Sequence, residues 1–158
     1  MKTLNEQIES YTQQLRRGEI QIAYKGILAF MGKLRAAFIK KYPHYDVSNI
    51  YPGYLDMSYF SLSTKSLKDQ GLKIAIVYLH EKGSFEGWLS ARNRDIARNY
   101  KLVLNNLSDE INIFHDQDNQ DAIMECILID TPDFEDQAQL INVIDQRVEK
   151  FVAAIINH

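Results

Sequence analysis

Between Tyr54 and Tyr100, three runs rich in β-branched and aromatic residues follow one another with little between them. The first, Tyr54–Ser63, contains neither glycine nor proline and opens after the turn signal Pro52-Gly53. The second, Leu72–His80, is the clearest strand signal in the chain. The third, Phe85–Ala91, follows across Glu81-Lys82-Gly83-Ser84. A loop centred on Lys82-Gly83 sets His80 opposite Phe85, Tyr78 opposite Gly87 and Ile76 opposite Leu89. One face then carries Ile74, Ile76, Tyr78, Phe85 and Leu89. The other carries Ala75, Val77, Leu79, Glu86, Trp88 and Ser90. A sheet with one wet side alternates more cleanly than this. Both faces are therefore expected to be at least partly covered, by helices or by another subunit. Gly87 opposite Tyr78 leaves space for the ring to lie over the backbone.

Helical patterns flank this block. Leu4, Ile8, Tyr11 and Leu15 recur at helical spacing, and Gly18 after Arg16-Arg17 is a stop. A second stripe, from Ile20 through Tyr24, Ile27, Met31 and Leu34 to Phe38, ends near Tyr42 because Pro43 disfavours helix before it. Gly26 and Gly32 lie inside it, and close packing against the first helix is their expected use. Thr64–Gly71 reads as a polar connection with room for one helical turn. Ile96, Tyr100, Val103 and Leu107 mark a helix starting near Asn93. Glu110–His115 reads as a short strand. Ala122–Ile129 fits strand or helix, and its pairs Ile123/Met124 and Ile127/Leu128 favour helix. Thr131-Pro132-Asp133 opens the last helix, striped by Leu140, Ile144, Val148, Phe151/Val152 and Ile155. The expected class is α+β: an antiparallel meander of three to four strands packed with N-terminal and C-terminal helices.

The chain of 158 residues fits a single domain, 1–158, with an ordinary apolar fraction of 46%. It has no apolar run long enough to cross a bilayer, and the charged N-terminal segment does not read as a secretory signal. One cysteine, Cys126, excludes an internal disulfide. A reducing, cytoplasmic setting is expected. The net charge of −3 is uneven: residues 1–105 carry +7 and residues 106–158 carry −10. Either the basic part meets a polyanion, or the acidic part packs on it and neutralises it. Lys33, Arg35, Lys40 and Lys41 with Phe38 and Tyr42 read as the solvated face and basic end of the second helix. An isoelectric point near 5.8 argues against strong nonspecific nucleic-acid binding.

Familiar motifs fail on inspection. GILAFMGK at Gly26 has the wrong spacing for a phosphate loop, places Leu34 where a hydroxyl is needed, and lies in a helix. The acidic run Asp116–Asp121 has Asp121 where a calcium loop needs glycine and Ile127 where it needs a bidentate glutamate. The four histidines show no paired ligand spacing. Cys126 in an apolar run reads as a buried inert thiol. No nucleophile-elbow serine is present. Neither a cofactor nor a metal is expected.

The strand-to-helix joint at Trp88–Arg98 survives this sorting. Glu86 and Trp88 share a strand face, while Asp56 and His80 come from neighbouring strands. Arg92, Arg94 and Arg98, with Asn93, crowd a helix start, where cations oppose the helix dipole. An anion there would satisfy the arginines and the free backbone N–H groups. The candidate ligand-binding set is thus Asp56, His80, Glu86, Trp88, Arg92, Asn93, Arg94 and Arg98. The competing reading makes Trp88 core and pairs the arginines with Asp95, Glu86 or the acidic half.

The segments GYLDMSYF, LKIAIVYLHE, FEGWLSARN and TPDF, with AYKG near Tyr24, resemble an uncharacterised bacterial family classed only as a domain of unknown function. The resemblance spans the chain from Tyr24 through the last helix. It implies a bacterial cytoplasmic single domain and offers no activity, cofactor or catalytic residue. The expected function is a non-enzymatic binding or interaction protein that self-associates through a sheet or helix surface. The alternative is a small enzyme or binder acting on an anionic or nucleotide-like small molecule at the Trp88–Arg98 joint. Partners are then a second copy of the chain or a small anionic ligand, with neither nucleic acid nor membrane expected.

Overall fold

The computed structural model describes residues 1–104, 113–116 and 118–156. Helix α1 (Leu4–Arg17) begins where Thr3 Oγ1 accepts from the Glu6 backbone N–H. It ends where Gly18 turns left-handed, at φ 81°, and its N–H donates to Leu15 O. That turn admits α2 (Glu19–Lys41), which stops as expected before Pro43. There follow β1 (Asp46–Val47), β2 (Met57–Ser63), the single turn α3 (Lys65–Asp69), β3 (Leu72–Leu79) and β4 (Ser84–Ala91). Helix α4 (Arg94–Leu104), β5 (Ile113–Phe114), β6 (Met124–Ile129) and α5 (Gln137–Ile156) complete the order.

The class is α+β, but the sheet is larger than the three to four strands expected. Six strands run in the order β1-β2-β3-β4-β6-β5, every neighbour antiparallel. The short strand read at Glu110–His115 is present as β5, and the additional members are the two-residue edge β1 and β6. Ala122–Ile129, favoured above as helix, supplies that sixth strand. The run lacks clean alternation because Met124, Cys126 and Leu128 join the main core while Glu125 is buried on the other face. The β3–β4 register also differs. Leu79 pairs with Ser84, Tyr78 with Phe85 and Ile76 with Gly87. The loop therefore spans four residues, His80–Gly83, and the shift by two residues leaves each face's membership intact. The space at Gly87 is filled by Phe151 of α5 rather than Tyr78: a Cβ there would lie 3.4 Å from the Phe151 ring.

Helices α2 and α5 cover one sheet face. Phe30, Met31, Leu34 and Phe38 of α2, and Leu140, Ile144, Val148, Phe151, Val152 and Ile155 of α5, bury against Phe60, Ile74, Ile76, Phe85 and Leu89. Each fully buried side chain of this kind stabilises by about 1.5–3 kcal/mol. The opposite face carries a smaller cluster, Ala75, Val77, Trp88 and Ala122. Two further expectations change. Helix α5 starts at Gln137, because residues 131–136 form turns in which Asp133 Oδ1 accepts from the Glu135 N–H and Asp136 Oδ1 from the Gln139 N–H. Gly26 and Gly32 do not serve close packing, since a Cβ on either meets nothing within 4 Å. Leu107 and residues 110–112 of the expected short strand lie outside the described residues.

Candidate functional site

The sheet separates the residues that sequence reasoning grouped together. His80 continues the face of Tyr78, which α2 covers, whereas Glu86 and Trp88 pair with Val77 and Ala75 on the opposite face. No single cleft among the described residues collects Asp56, Glu86, Trp88 and Arg92.

Asp56 and His80 belong to a latch around residues 52–58. The Pro52 carbonyl accepts from Tyr24 Oη (2.8 Å) and from Ser58 Oγ (2.6 Å). His80 Nε2 lies 2.8 Å from Ser58 Oγ. Because Ser58 gives its one hydroxyl hydrogen to Pro52, Nε2 carries the proton of the second bond. The rings of Tyr24 and His80 stack at 5.7 Å, and the His80 N–H donates to Asp56 O. Desolvation holds the His80 imidazole below its ordinary pKa, partly opposed by Asp56. The Asp56 carboxyl is held low chiefly by the Tyr54 backbone N–H. A serine beside a histidine suggests a nucleophile, but Ser58 is wholly buried and its hydroxyl is committed. Its function is to hold the loop. Sequence reasoning missed Ser58 and Tyr24. The signal was a serine on the core-facing parity of β2, in line with Phe60 and Leu62.

Trp88 is core rather than the wall of a pocket. It is 8% exposed, packs with Ala75, Val77 and Ala122, and donates from Nε1 to Glu86 Oε1 at 3.0 Å. The buried Glu86 carboxylate has Lys82 Nζ at 3.7 Å as its counter-charge. Beside them, on β6, is Glu125, 1% exposed. It accepts from the Asp116 N–H and from Asn119 Nδ2, with His115 Nδ1 at 3.4 Å, within ion-pair distance but not aligned as a hydrogen bond. Burial pushes the Glu125 carboxyl up against these partners. An acid in the middle of an apolar run was the sequence signal for this cluster.

The arginines of the joint line two clefts. Arg92 lines a cleft with Ser61, Ser63, Lys68 and Lys73. Asn93, Arg94 and Arg98 line another, of about 610 Å³, with His115 and Asp121. Asn93 Oδ1 accepts from the Ile96 N–H and so caps α4. Arg98 lies 3.8 Å from Asp95. The acidic half meets the basic half at Lys41, whose Nζ contacts Asp145 Oδ2 at 2.5 Å.

A different surface stands out at the α1 end. The stripe Leu4, Ile8, Tyr11 and Leu15 is present as expected, yet α1 buries none of its residues. Ile8 is 50% and Tyr11 56% exposed. Next to it, the loop held by the latch presents Tyr54 at 86% exposure and Leu55 at 48%. This conformation costs energy. Leu55 is left-handed at φ 68°, which disfavours an L side chain by about 1–2 kcal/mol. Tyr11, Leu15, Ile20, Tyr24, Tyr54 and Leu55 line an apolar groove of about 280 Å³.

Cys126 is buried, its thiol pushed up to about 11 by desolvation. Among the described residues no group of three or more His, Cys, Asp or Glu could hold a metal ion. Nor is any described helix long and apolar enough to cross a membrane. The chain belongs to the family described as Domain of unknown function (DUF7000), whose model matches residues 4–158. No curated protein and no solved structure matches it.

Proposed function

We propose that this member of a family without an assigned activity is a non-enzymatic, cytoplasmic binding domain that self-associates through α1 and the Tyr54–Leu55 loop. The carrying observation is an amphipathic helix with no buried residue beside a strained loop that exposes two large apolar side chains. Exposed apolar surface of this extent marks an interaction site. The spacing 4, 8, 11, 15 alternates steps of four and three, the seam of a two-helix contact.

A second copy of α1 suits the surface. Glu6 and Glu9 sit toward the start of the helix, and Arg16 and Arg17 close it. Antiparallel pairing about a two-fold axis brings each acidic start toward a basic end and opposes the two helix dipoles. Pairing through sheet edges is less favoured, because β1 and β5 are two residues long and blunt the sheet. Light scattering tests the proposal. The expected mass is twice the 18.3 kDa chain, falling to one chain in Ile8→Glu/Tyr11→Glu. A wild-type monomer at high micromolar concentration overturns it.

A further inference from the structure

A cleft of about 690 Å³ opens at the sheet end, between β1, the end of β2, α3, the start of β3 and Arg92. Its volume falls in the usual range for small-molecule sites, about 300–1,000 Å³. Val47, Leu62, Leu72 and Ala91 line it while their side chains join the main core, Leu62 and Leu72 being 1% and 3% exposed, and Lys68, Lys73 and Arg92 stand around it. Asp46 is the one acid that lines it, and it is already paired with Lys68. Lys73 and Arg92 have no ion-pair partner among the described residues, so the cleft carries two uncompensated positive charges. Ser61 adds a hydroxyl that makes no side-chain hydrogen bond among the described residues.

The backbone of Arg92 is pinned. Its backbone N–H donates to Gly71 O at 2.7 Å, which pins the end of β4 to the start of β3. Its guanidinium extends over Gly71, where a Cβ would lie 3.7 Å from Nη2. Gly71 is itself held at φ 73°, and a Cβ there would lie 2.5 Å from Ile96 Cδ1. The fold therefore requires glycine at the floor of the cleft and keeps the planar donor fork of Arg92 above it. Such a fork matches two oxygens of a phosphate, and Lys73 supplies a second point charge.

We infer that this cleft binds a small organic phosphate, a phosphomonoester whose dianion sits between Arg92 and Lys73 and whose body lies along β2 at Ser61 and Ser63. The site is independent of the α1 surface, so either proposal can fail alone. It also replaces the sequence-level grouping: of the joint's residues, Arg92 belongs to the anion site, while Arg94 and Arg98 line the separate cleft beside His115.

Phenyl phosphate, inorganic phosphate and benzoate, titrated into the ¹⁵N-labelled full chain, test this inference. Saturable shifts are expected at the amides of Ser61, Ser63, Lys73 and Arg92, with phenyl phosphate binding more tightly than inorganic phosphate or benzoate. The exposed pair Lys73→Ala/Arg92→Ala should weaken phenyl phosphate at least tenfold while the rest of the spectrum is retained, and added salt should weaken it in the wild type. Three results overturn the inference: no saturable binding, shifts confined to Arg94, Arg98 and His115, or unchanged affinity in the double variant. A preference for benzoate overturns the phosphate assignment.

Discussion

Helices α1 and α5 carry the same kind of apolar stripe and have opposite fates. Helix α5 buries Leu140, Ile144, Val148, Phe151, Val152 and Ile155 against the sheet. Helix α1 repeats Leu4, Ile8, Tyr11 and Leu15 and buries none of them. The difference is not in the periodicity but in what lies opposite. The sheet face has room for two long helices, and α2 and α5 occupy it. Helix α1 packs on α2 from outside, and its stripe is left for something else to cover. An amphipathic pattern thus establishes that a helix needs a partner, without establishing that the partner is in the same chain.

The largest effect should separate the two helices energetically. Phe151→Ala is expected to cost about 3–5 kcal/mol, because it empties the space over Gly87 as well as the core. Ile8→Ala, measured at concentrations where the chain is monomeric, should change stability by no more than about 0.5 kcal/mol. Urea unfolding of both variants checks the contrast, and similar losses would erase it. The loop that flanks α1 should be the next most sensitive place. A Cβ at Gly53 would lie 1.9 Å from Met57 O at a residue already at φ 73°. Gly53→Ala should destabilise by more than about 1 kcal/mol and disorder the Tyr54–Leu55 tip, read by loss of amide protection there.

Smaller and opposite in sign is Gly26→Ala. The site is open and helical, so the substitution should stabilise by up to about 1 kcal/mol. A loss of stability would restore the idea that this glycine serves close packing. The pH dependence of the latch is the subtlest effect. His80 is held below its ordinary pKa in the fold, so the unfolded chain takes up this proton first. The associated stability is present above about pH 6.5 and is lost as pH falls toward the folded value. Urea midpoints should decline through that window in the wild type and decline less in His80→Gln.

The sequence made the long elements legible because each satisfies one strong rule. The α5 stripe, the Gly18 break, the stop before Pro43 and the β3–β4 faces all emerged from periodicity and turn chemistry. β6 did not, because a strand buried on both sides has no alternation to read, and its pairs Ile123/Met124 and Ile127/Leu128 imitate helical spacing. The two-residue strand β1 is set by neighbouring backbone and leaves no pattern of its own, whereas β5 lies within the short strand read at Glu110–His115. The grouping of the candidate residues was not legible. Parity along β3 and β4 places His80 with Tyr24 and Ser58, and Trp88 with Glu86. Whether Arg92 and Arg94, two residues apart, share a cleft depends on the joint's backbone, which is pinned by Gly71 O and has no signature in composition.

The central claim, that a second α1 covers the first in antiparallel fashion, can be tested by disulfide trapping. Antiparallel pairing about a two-fold axis at the middle of the stripe should set Ile8 of one chain opposite Tyr11 of the other, and a disulfide forms only where the two Cα atoms come within about 7 Å. Chains carrying Ile8→Cys and Tyr11→Cys, mixed under mild oxidation, should form a mixed dimer rapidly. Cys126 is buried and should take no part. Gln13→Cys, on the opposite side of α1, should remain monomeric. Equal trapping at position 13, or no trapping between positions 8 and 11, would contradict the account.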